Sequence, residues 1–211
     1  MSFGSQTIDE IHQQLLSNAH IQNGYRDKYC LTSITEGMEI QFNGKQIYPT
    51  LFEKSAFMFE GIVRLHPFID GNKRTALASI QEYLLENGYI FIMPLSAVRF
   101  TIRVASITTL ENDRITSLIQ NISSWISSRT APINKITEIK EIYKIDIKLL
   151  HTLKKISKSR RDREMLDDVI GYWVGNDIYP DNKYYFKDFV DFYANRQTKT
   201  LEYLRKESKR K

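Results

Sequence analysis

The sequence has one cysteine, no long apolar run, and no basic segment followed by an apolar one in its first twenty residues. With Cys30 as its single thiol the chain cannot form an internal disulfide, and it has no cysteine pair spaced for a metal site. The longest apolar stretch, Tyr89 to Leu95, is interrupted by Pro94 and is too short to span a bilayer. We therefore expect a cytoplasmic protein without a secretory signal or a membrane partner.

The composition is that of a globular protein, with 42% hydrophobic and 26% charged residues. The net charge of +5 is unevenly distributed, because residues 131–211 hold 19 Lys and Arg against 13 Asp and Glu. This difference predicts a boundary near Thr130, with one domain over residues 1–130 and a basic helical extension over residues 131–211.

The extension has two interpretations. Its cations cluster between Lys154 and Arg163 with aromatic residues nearby, a pattern that suits nucleic-acid binding. Its aromatic residues nevertheless recur at helical spacing, which is typical of core packing in helices from about Arg163 to Val174 and from Lys183 to about Arg205. We favour a helical appendage with a solvated basic face, and nucleic-acid binding stays open.

The rest of the chain is predicted to be mainly helical, because apolar residues recur every three or four positions. Thr50 and Glu53 fit a capping box, and the helix that follows is apolar around most of its circumference, so we expect it to be buried centrally. The predicted helices run from Ser5 to about Asn18, from Asp27 to Gly37, from Leu51 to Leu65, from Asn72 to Asn87, from about Leu95 to Ser106 and from Glu111 to Ser127.

Met38 to Pro49 has a period of two residues around an Asn-Gly pair, which predicts a β-hairpin. In this register Ile40 lies opposite Ile47 and Gln41 opposite Gln46, so one face is apolar and the other polar. An isolated hairpin of this length is unstable, and it must pack against the domain or serve as a flap. The flap residues are Ile40, Gln41, Phe42, Asn43, Gly44, Lys45 and Gln46.

One stretch carries more chemistry than its structure requires: His66-Pro67-Phe68-Ile69-Asp70-Gly71-Asn72-Lys73-Arg74-Thr75-Ala76. Because proline disfavours the helical region for the residue before it, the preceding helix should end near Leu65 and His66 should have extended backbone. A new helix then begins at Asn72. Its first backbone N–H groups have no partner within the helix and form a natural anion site.

The side chains of this stretch suit phosphoryl transfer. His66 is the candidate general base, Asp70 offers a carboxylate for Mg²⁺, and Gly71 allows close backbone approach. Asn72 adds an amide, while Lys73 and Arg74 neutralise phosphate charge; cations at a helix N-terminus otherwise oppose the helix dipole. Asp70 as a simple N-cap remains an alternative. The other histidines, His12, His20 and His151, are expected to be at the surface or partly buried.

The stretch resembles the signature of the Fic superfamily, H-x-F-x-(D/E)-G-N-(G/K)-R, and its Lys form is similar to the death-on-curing (Doc) toxins. The similarity extends from about Ile8 to Trp125 and includes a G-x-R-D turn at 24–27. It implies an all-α Fic fold with a β-hairpin flap that holds a segment of the target by strand addition. It also implies that His66 deprotonates a target hydroxyl, Asp70 binds Mg²⁺, and residues 71–74 hold the phosphates of ATP. Phe68 would be the buried anchor of the loop.

Two departures bear on the reaction that the resemblance implies. Most Fic enzymes have glycine where this chain has Lys73 and transfer AMP, whereas the Doc branch has lysine and transfers the γ-phosphoryl group. The second arginine of adenylylating members is replaced by Leu77. We therefore favour a protein kinase. The resemblance also implies a translation GTPase as its target and a separate antitoxin that restrains it. Gly71 favours the alternative of protein adenylylation, and an inactive Fic-fold binding module is the second alternative.

Residues 32–37 match the loose pattern (S/T)-x-x-x-E-(G/N) of the inhibitory helix in some Fic enzymes. So short a pattern often arises by chance. Because the match lies within the expected core domain rather than in a separate preceding helix, we do not favour autoinhibition.

Overall fold

Six α-helices and two short pairs of antiparallel strands make up the described part of this computed structural model, which comprises residues 3–16, 22–94, 97–107 and 112–135. The predicted helices of the extension, together with His20 and His151, lie outside these residues. The elements are α1 (Ser5–Leu16), α2 (Tyr29–Gly37), β1 (Gln41–Phe42), β2 (Lys45–Gln46), α3 (Leu51–Leu65), α4 (Asn72–Glu86), β3 (Tyr89–Phe91), α5 (Ala97–Ala105), α6 (Asn112–Ser127) and β4 (Thr130–Pro132).

Helix α3 is the centre of the unit, which extends to Ile133. Its capping box is formed as predicted: Thr50 Oγ1 accepts from the Glu53 backbone N–H at 3.1 Å, and Glu53 Oε2 accepts from the Thr50 N–H at 2.9 Å. Phe59 and Ile62 are fully buried, and the prediction of a central buried helix is confirmed. Gly61 lets α2 approach closely, because a Cβ there would lie 2.8 Å from the Ile34 side chain.

An aromatic cluster joins α3 to the two later helices. The rings of Phe100 on α5 and Trp125 on α6 stack with centroids 4.1 Å apart, and the Phe59 ring on α3 lies 6.0 to 6.1 Å from both. Offset aromatic packing of this kind stabilises a core beyond the burial of its area. The helices predicted near residues 95–106 and 111–127 are therefore confirmed as part of this unit.

The hairpin has the predicted register, with Gln41 paired to Gln46 and the Ile47 N–H donating to the Ile40 carbonyl at 3.0 Å. Asn43 and Gly44 both have positive φ, 50° and 72°, as a type I′ turn requires. The strands are shorter than the Met38–Pro49 pattern suggested. Met38 belongs to the core, where it is 3% exposed at the end of α2.

A second antiparallel pair was not predicted. Strand β3 pairs with β4 through Tyr89–Pro132, Ile90–Ala131 and Phe91–Thr130. This pairing carries the compact unit past the boundary predicted at Thr130, and the division into two domains stays a prediction. The fold class is confirmed as all-α with a short hairpin. Among the described helices, none has the length and apolar character needed to cross a bilayer.

Candidate active site

The loop between α3 and α4 is fixed from outside by the turn that precedes α2. The Pro67 carbonyl accepts hydrogen bonds from the backbone N–H groups of Arg26 at 2.8 Å and Asp27 at 3.2 Å. The Ile69 N–H donates to the Gly24 carbonyl at 3.0 Å, and Tyr25 forms an isolated β-bridge with Phe68. The motif loop, residues 66–71, thus lies in a strand-like pairing with residues 24–27.

The side chain of Asn72 holds the same loop through hydrogen bonds to its backbone. Its side-chain Oδ1 accepts from the Phe68 N–H at 3.0 Å, and its Nδ2 donates to the Phe68 carbonyl at 2.8 Å. The same Nδ2 lies 3.4 Å from Nδ1 of His66. We predicted Asn72 as a phosphate-binding residue, and the structure places its side chain, 4% exposed, within the loop. Its side chain therefore holds the loop, while its backbone N–H lies at the α4 N-terminus.

His66 is the C-cap of α3 and has left-handed backbone, with φ 51° and ψ 58°. The prediction of extended backbone is therefore wrong, although the helix ends at Leu65 as predicted. Proline excludes the right-handed helical region for the residue before it, and a single left-handed residue is a common way to end a helix. The sharp turn at His66 brings Phe68 back to Asn72.

The surroundings of the His66 ring favour its neutral form. Burial lowers the pKa of its imidazole, and the positive charges of Lys73 and then Arg26 lower the pKa further. A depressed pKa keeps the imidazole neutral at neutral pH, which is the form that accepts a proton. These charge effects also indicate that cations from two separate elements lie near the same ring.

Asp70 and Gly71 lead into the N-terminus of α4, which is the predicted anion site. The Gly71 N–H donates to Oδ1 of Asp70 at 2.6 Å, and the φ of 80° at Gly71 strongly favours glycine. Helix α4 starts at the next residue, and its first hydrogen bond to the loop runs from the Thr75 N–H to the Gly71 carbonyl at 2.9 Å. The N–H groups ahead of Thr75 therefore lie at the free end of α4.

The cations predicted for phosphate binding lie on the first turn of α4. Lys73 is exposed and Arg74 is half-buried. Leu77, at the position where adenylylating members have a second arginine, is 2% exposed and packs in the core. The two basic residues of α4, Lys73 and Arg74, both lie in its first turn.

The donor set at Asp70 fits Mg²⁺ held mainly by a nucleotide. The Asp70 side chain is exposed, and within the described residues no three His, Cys, Asp or Glu side chains come together as a protein-only metal site. Mg²⁺ is commonly bound by one or two carboxylates, with phosphate oxygens and water as its other ligands. One exposed carboxylate beside a helix N-terminus satisfies that requirement.

His12 was not predicted to lie near the site; we expected it at the surface or partly buried and without chemical neighbours. This expectation is wrong: the His12 side chain is fully buried in α1 and stacks on the Phe68 ring, with centroids 3.7 Å apart and an interplanar angle of 11°. His12 follows Ile8 by four residues and precedes Leu15 by three, so it lies on the apolar stripe of the helix. That spacing in the sequence was the signal that could have predicted the burial of His12.

The hairpin presents the predicted target-docking residues to solvent. Phe42 is 69% exposed and Ile40 is 49% exposed, and Gln41, Asn43, Gly44 and Lys45 are also exposed, whereas Gln46 is half-buried. The base of the hairpin is anchored to α3, since Lys54 and Glu39 form an ion pair at 2.6 Å and Gln46 donates to Glu39 at 3.2 Å. Lys54 lowers the pKa of Glu39, which keeps this pair charged.

The inhibitory pattern at residues 32–37 lies within α2, as expected, and not in a separate helix. Leu31 and Ile34 are buried from this helix, whereas Thr32 and Glu36 are exposed. Autoinhibition by these residues stays an open prediction that we do not favour.

The part of the chain that contains the motif loop is similar to known proteins. The sequence model of the Fic/DOC family matches residues 2–84, which include the hairpin and the motif loop. Over 63 residues the chain is 42% identical to Toxin Doc of Mycolicibacterium smegmatis, an alignment that covers 30% of this chain and 48% of that protein. The chain thus matches about half the length of this relative. No solved structure matches the chain significantly.

Proposed function

We propose that this chain is a Doc-like toxin, because the sequence model of the Fic/DOC family matches residues 2–84, which contain the motif loop. It would act as a protein kinase that transfers the γ-phosphoryl group of ATP to a Ser or Thr hydroxyl of a target protein. A translation GTPase is the target class that the resemblance implies. The observation that carries the proposal is the position of His66: its Nδ1 lies 3.4 Å from Nδ2 of Asn72 at the start of α4, in a loop that is hydrogen-bonded on both sides.

In the proposed reaction His66 accepts the proton of the target hydroxyl as the oxygen attacks the γ-phosphorus. The new P–O bond forms while the bond to the ADP oxygen breaks, and ADP leaves with the electron pair. The N–H groups of α4, with Lys73 and Arg74, bind and orient the phosphates. Asp70 would hold Mg²⁺, which would neutralise phosphate charge. In this fold the protein supplies position and electrostatics.

Lys73 and Leu77 favour phosphoryl over adenylyl transfer. Lys73 adds an exposed cation within electrostatic reach of His66, and the buried Leu77 leaves no second arginine in the next turn. Gly71 supports the alternative of adenylylation, because the resemblance places glycine at this position in adenylylating members, where some Doc proteins have alanine. Position 73 is therefore the residue on which the choice of reaction depends.

The test compares transfer from ATP labelled at the γ-phosphate and at the α-phosphate to purified translation factors, with the intact mass of each product. We expect the γ-label and a phosphoryl mass increase, and we expect chelation of divalent cations to abolish both. The α-label with an adenylyl mass increase would support the alternative. Labelling of no target by the wild-type protein would favour an inactive binding module.

A separately encoded antitoxin is part of the proposal, since the related protein is named a toxin. Co-expression is the direct test. Toxicity of the wild-type chain in bacterial cells should be relieved by a co-expressed Doc-type antitoxin and should be absent from a His66→Asn chain. Toxicity that persists in the His66 variant would contradict an enzymatic origin.

A further inference from the structure

His12 connects three parts of the site that are far apart in sequence. Its ring, on α1, stacks face to face on Phe68 of the motif loop. Its Nδ1 is hydrogen-bonded at 3.0 Å to Oγ1 of Thr75 in the first turn of α4. Both Phe68 and Thr75 are fully buried. The imidazole therefore lies directly behind the loop that carries His66 and Asp70.

The other ring nitrogen of His12 is an unusual feature for a core residue. Nε2 is buried and has no hydrogen-bond partner among the described residues. A buried polar atom without a partner is unfavourable, and native structures retain few of them. A leucine would fill an apolar position on this stripe without that cost. An imidazole at this position therefore indicates a role for the ring other than filling space in the core.

The charge state of His12 agrees with a fixed, neutral ring. Burial lowers the pKa of the imidazole, and the nearby carboxylates of Asp9 and Asp70 oppose that change only in part. A neutral ring can stack closely on Phe68 and exchange a single hydrogen bond with Thr75. Asp9 also accepts a hydrogen bond from the Tyr25 hydroxyl, so the same face of α1 contacts the 24–27 turn.

We infer that His12 is a positioning residue of the active site, which sets the motif loop on the N-terminus of α4 through its stack on Phe68 and its hydrogen bond to Thr75. This inference rests on the proposed function, because position matters there for proton transfer by His66 and phosphate binding by the α4 amides. Displacements of about an ångström in such a loop can reduce turnover by about 100-fold.

Two substitutions separate the hydrogen bond from the packing. His12→Phe retains a flat ring against Phe68 but removes the bond to Thr75, and Thr75→Val removes the same bond from the other side while retaining the shape. Leu15→Ala is the control: this residue lies on the same apolar stripe of α1 and is 7% exposed, and its aliphatic side chain can form neither a ring stack nor a hydrogen bond. All three variants are compared at temperatures equally far below their own Tm values.

Two readouts are measured on the full chain: kcat and the KM values for ATP and for the target protein in γ-phosphoryl transfer, and amide hydrogen exchange of the segment 66–72. We expect both single variants to lower kcat by about tenfold or more, to leave KM for the target protein unchanged, and to speed exchange in the loop. The double variant should be no worse than either single variant, because both remove one interaction. Leu15→Ala should lower Tm with normal kcat and normal loop exchange.

The inference is overturned if His12→Phe and Thr75→Val have wild-type kcat and loop exchange, or if Leu15→Ala changes both to the same extent as they do. The first result would make His12 a packing residue, and the second would make the effect a general consequence of lost stability. If the wild-type protein transfers no label, the proposed function fails, and loop exchange alone then decides the role of His12.

Discussion

The motif loop and the hairpin differ in how they are held. In the loop, Phe68 is fully buried and its N–H and carbonyl groups are both bonded by the Asn72 side chain. In the hairpin, Phe42 is 69% exposed and regular pairing spans only two residues in each strand. The comparison indicates a division of roles: proton transfer needs fixed atoms, whereas capture of a protein segment needs an accessible edge.

The largest effect is expected at His66. His66→Asn keeps a residue that tolerates the left-handed backbone at φ 51°, so the fold should be retained. Loss of the general base should lower γ-phosphoryl transfer by roughly 100-fold to 10,000-fold. The measurement is a single-turnover transfer assay alongside thermal unfolding. Retention of more than a tenth of the wild-type rate would exclude His66 as the base.

Asn72→Ala should affect both stability and activity, because it leaves the buried N–H and carbonyl of Phe68 without their partner. We expect a loss of about 2 kcal/mol in the free energy of unfolding, measured by urea denaturation, and a loss of transfer activity. Asn87→Ala is the matched control at the other end of α4, where the Asn87 side chain donates to the Tyr83 carbonyl at 2.7 Å.

Because Asn87 is exposed, Asn87→Ala should lower the free energy of unfolding by no more than about 1 kcal/mol and should leave transfer activity normal. Equal destabilisation by the two substitutions would mean that Asn72 contributes no more to the loop than a cap contributes to a helix end. The proposed rigidity of the motif loop would then lack its main internal support.

At the hairpin the expected effect is smaller and concerns the target alone. Phe42→Ser removes an exposed aromatic side chain, so the free energy of unfolding should change by less than about 0.5 kcal/mol. If Phe42 anchors a target segment, KM for the target protein should rise about tenfold with KM for ATP unchanged. Ile102→Ser, at a 51% exposed position on α5, is the control and should change neither KM for the target protein nor KM for ATP. A normal KM in Phe42→Ser would place target docking elsewhere.

Most of this architecture was readable from local signals. The capping box at Thr50, the Asn-Gly turn of the hairpin and the apolar stripes of α1, α3 and α4 each depend on a few adjacent residues, and all are confirmed. The motif itself was also local, since Asp70 and Gly71 lie directly ahead of α4 and Asn72 is its first residue. Local spacing therefore predicted where the motif loop lies between α3 and α4.

What the sequence did not predict depends on contacts between distant segments. Strands β3 and β4 have three residues each, too few to show a period, and they pair only because the chain returns after α6. The left-handed backbone of His66 is part of the turn that brings the Phe68 backbone within hydrogen-bond distance of the Asn72 side chain. His12 was missed because its partners, Phe68 and Thr75, belong to other elements.

The smallest expected effect tests how the 24–27 turn acts on the site. The pKa of His66 is lowered by burial, then by Lys73, then by Arg26. In the proposed reaction the neutral imidazole is the base, so the transfer rate should fall as pH falls through this pKa. Arg26→Gln removes one of the positive charges, so the pKa rises and the acidic limb of the kcat profile moves to higher pH by a fraction of a pH unit.

The control for Arg26 is Arg103→Gln, which makes the same change of net charge on α5. The acidic limb of this variant should coincide with that of the wild-type protein. Because Arg26 is exposed, added salt should screen its charge, and the wild-type limb should move towards that of Arg26→Gln as ionic strength rises. Identical limbs in all three proteins at low salt would mean that the 24–27 turn contributes backbone pairing to the loop and no charge to its chemistry.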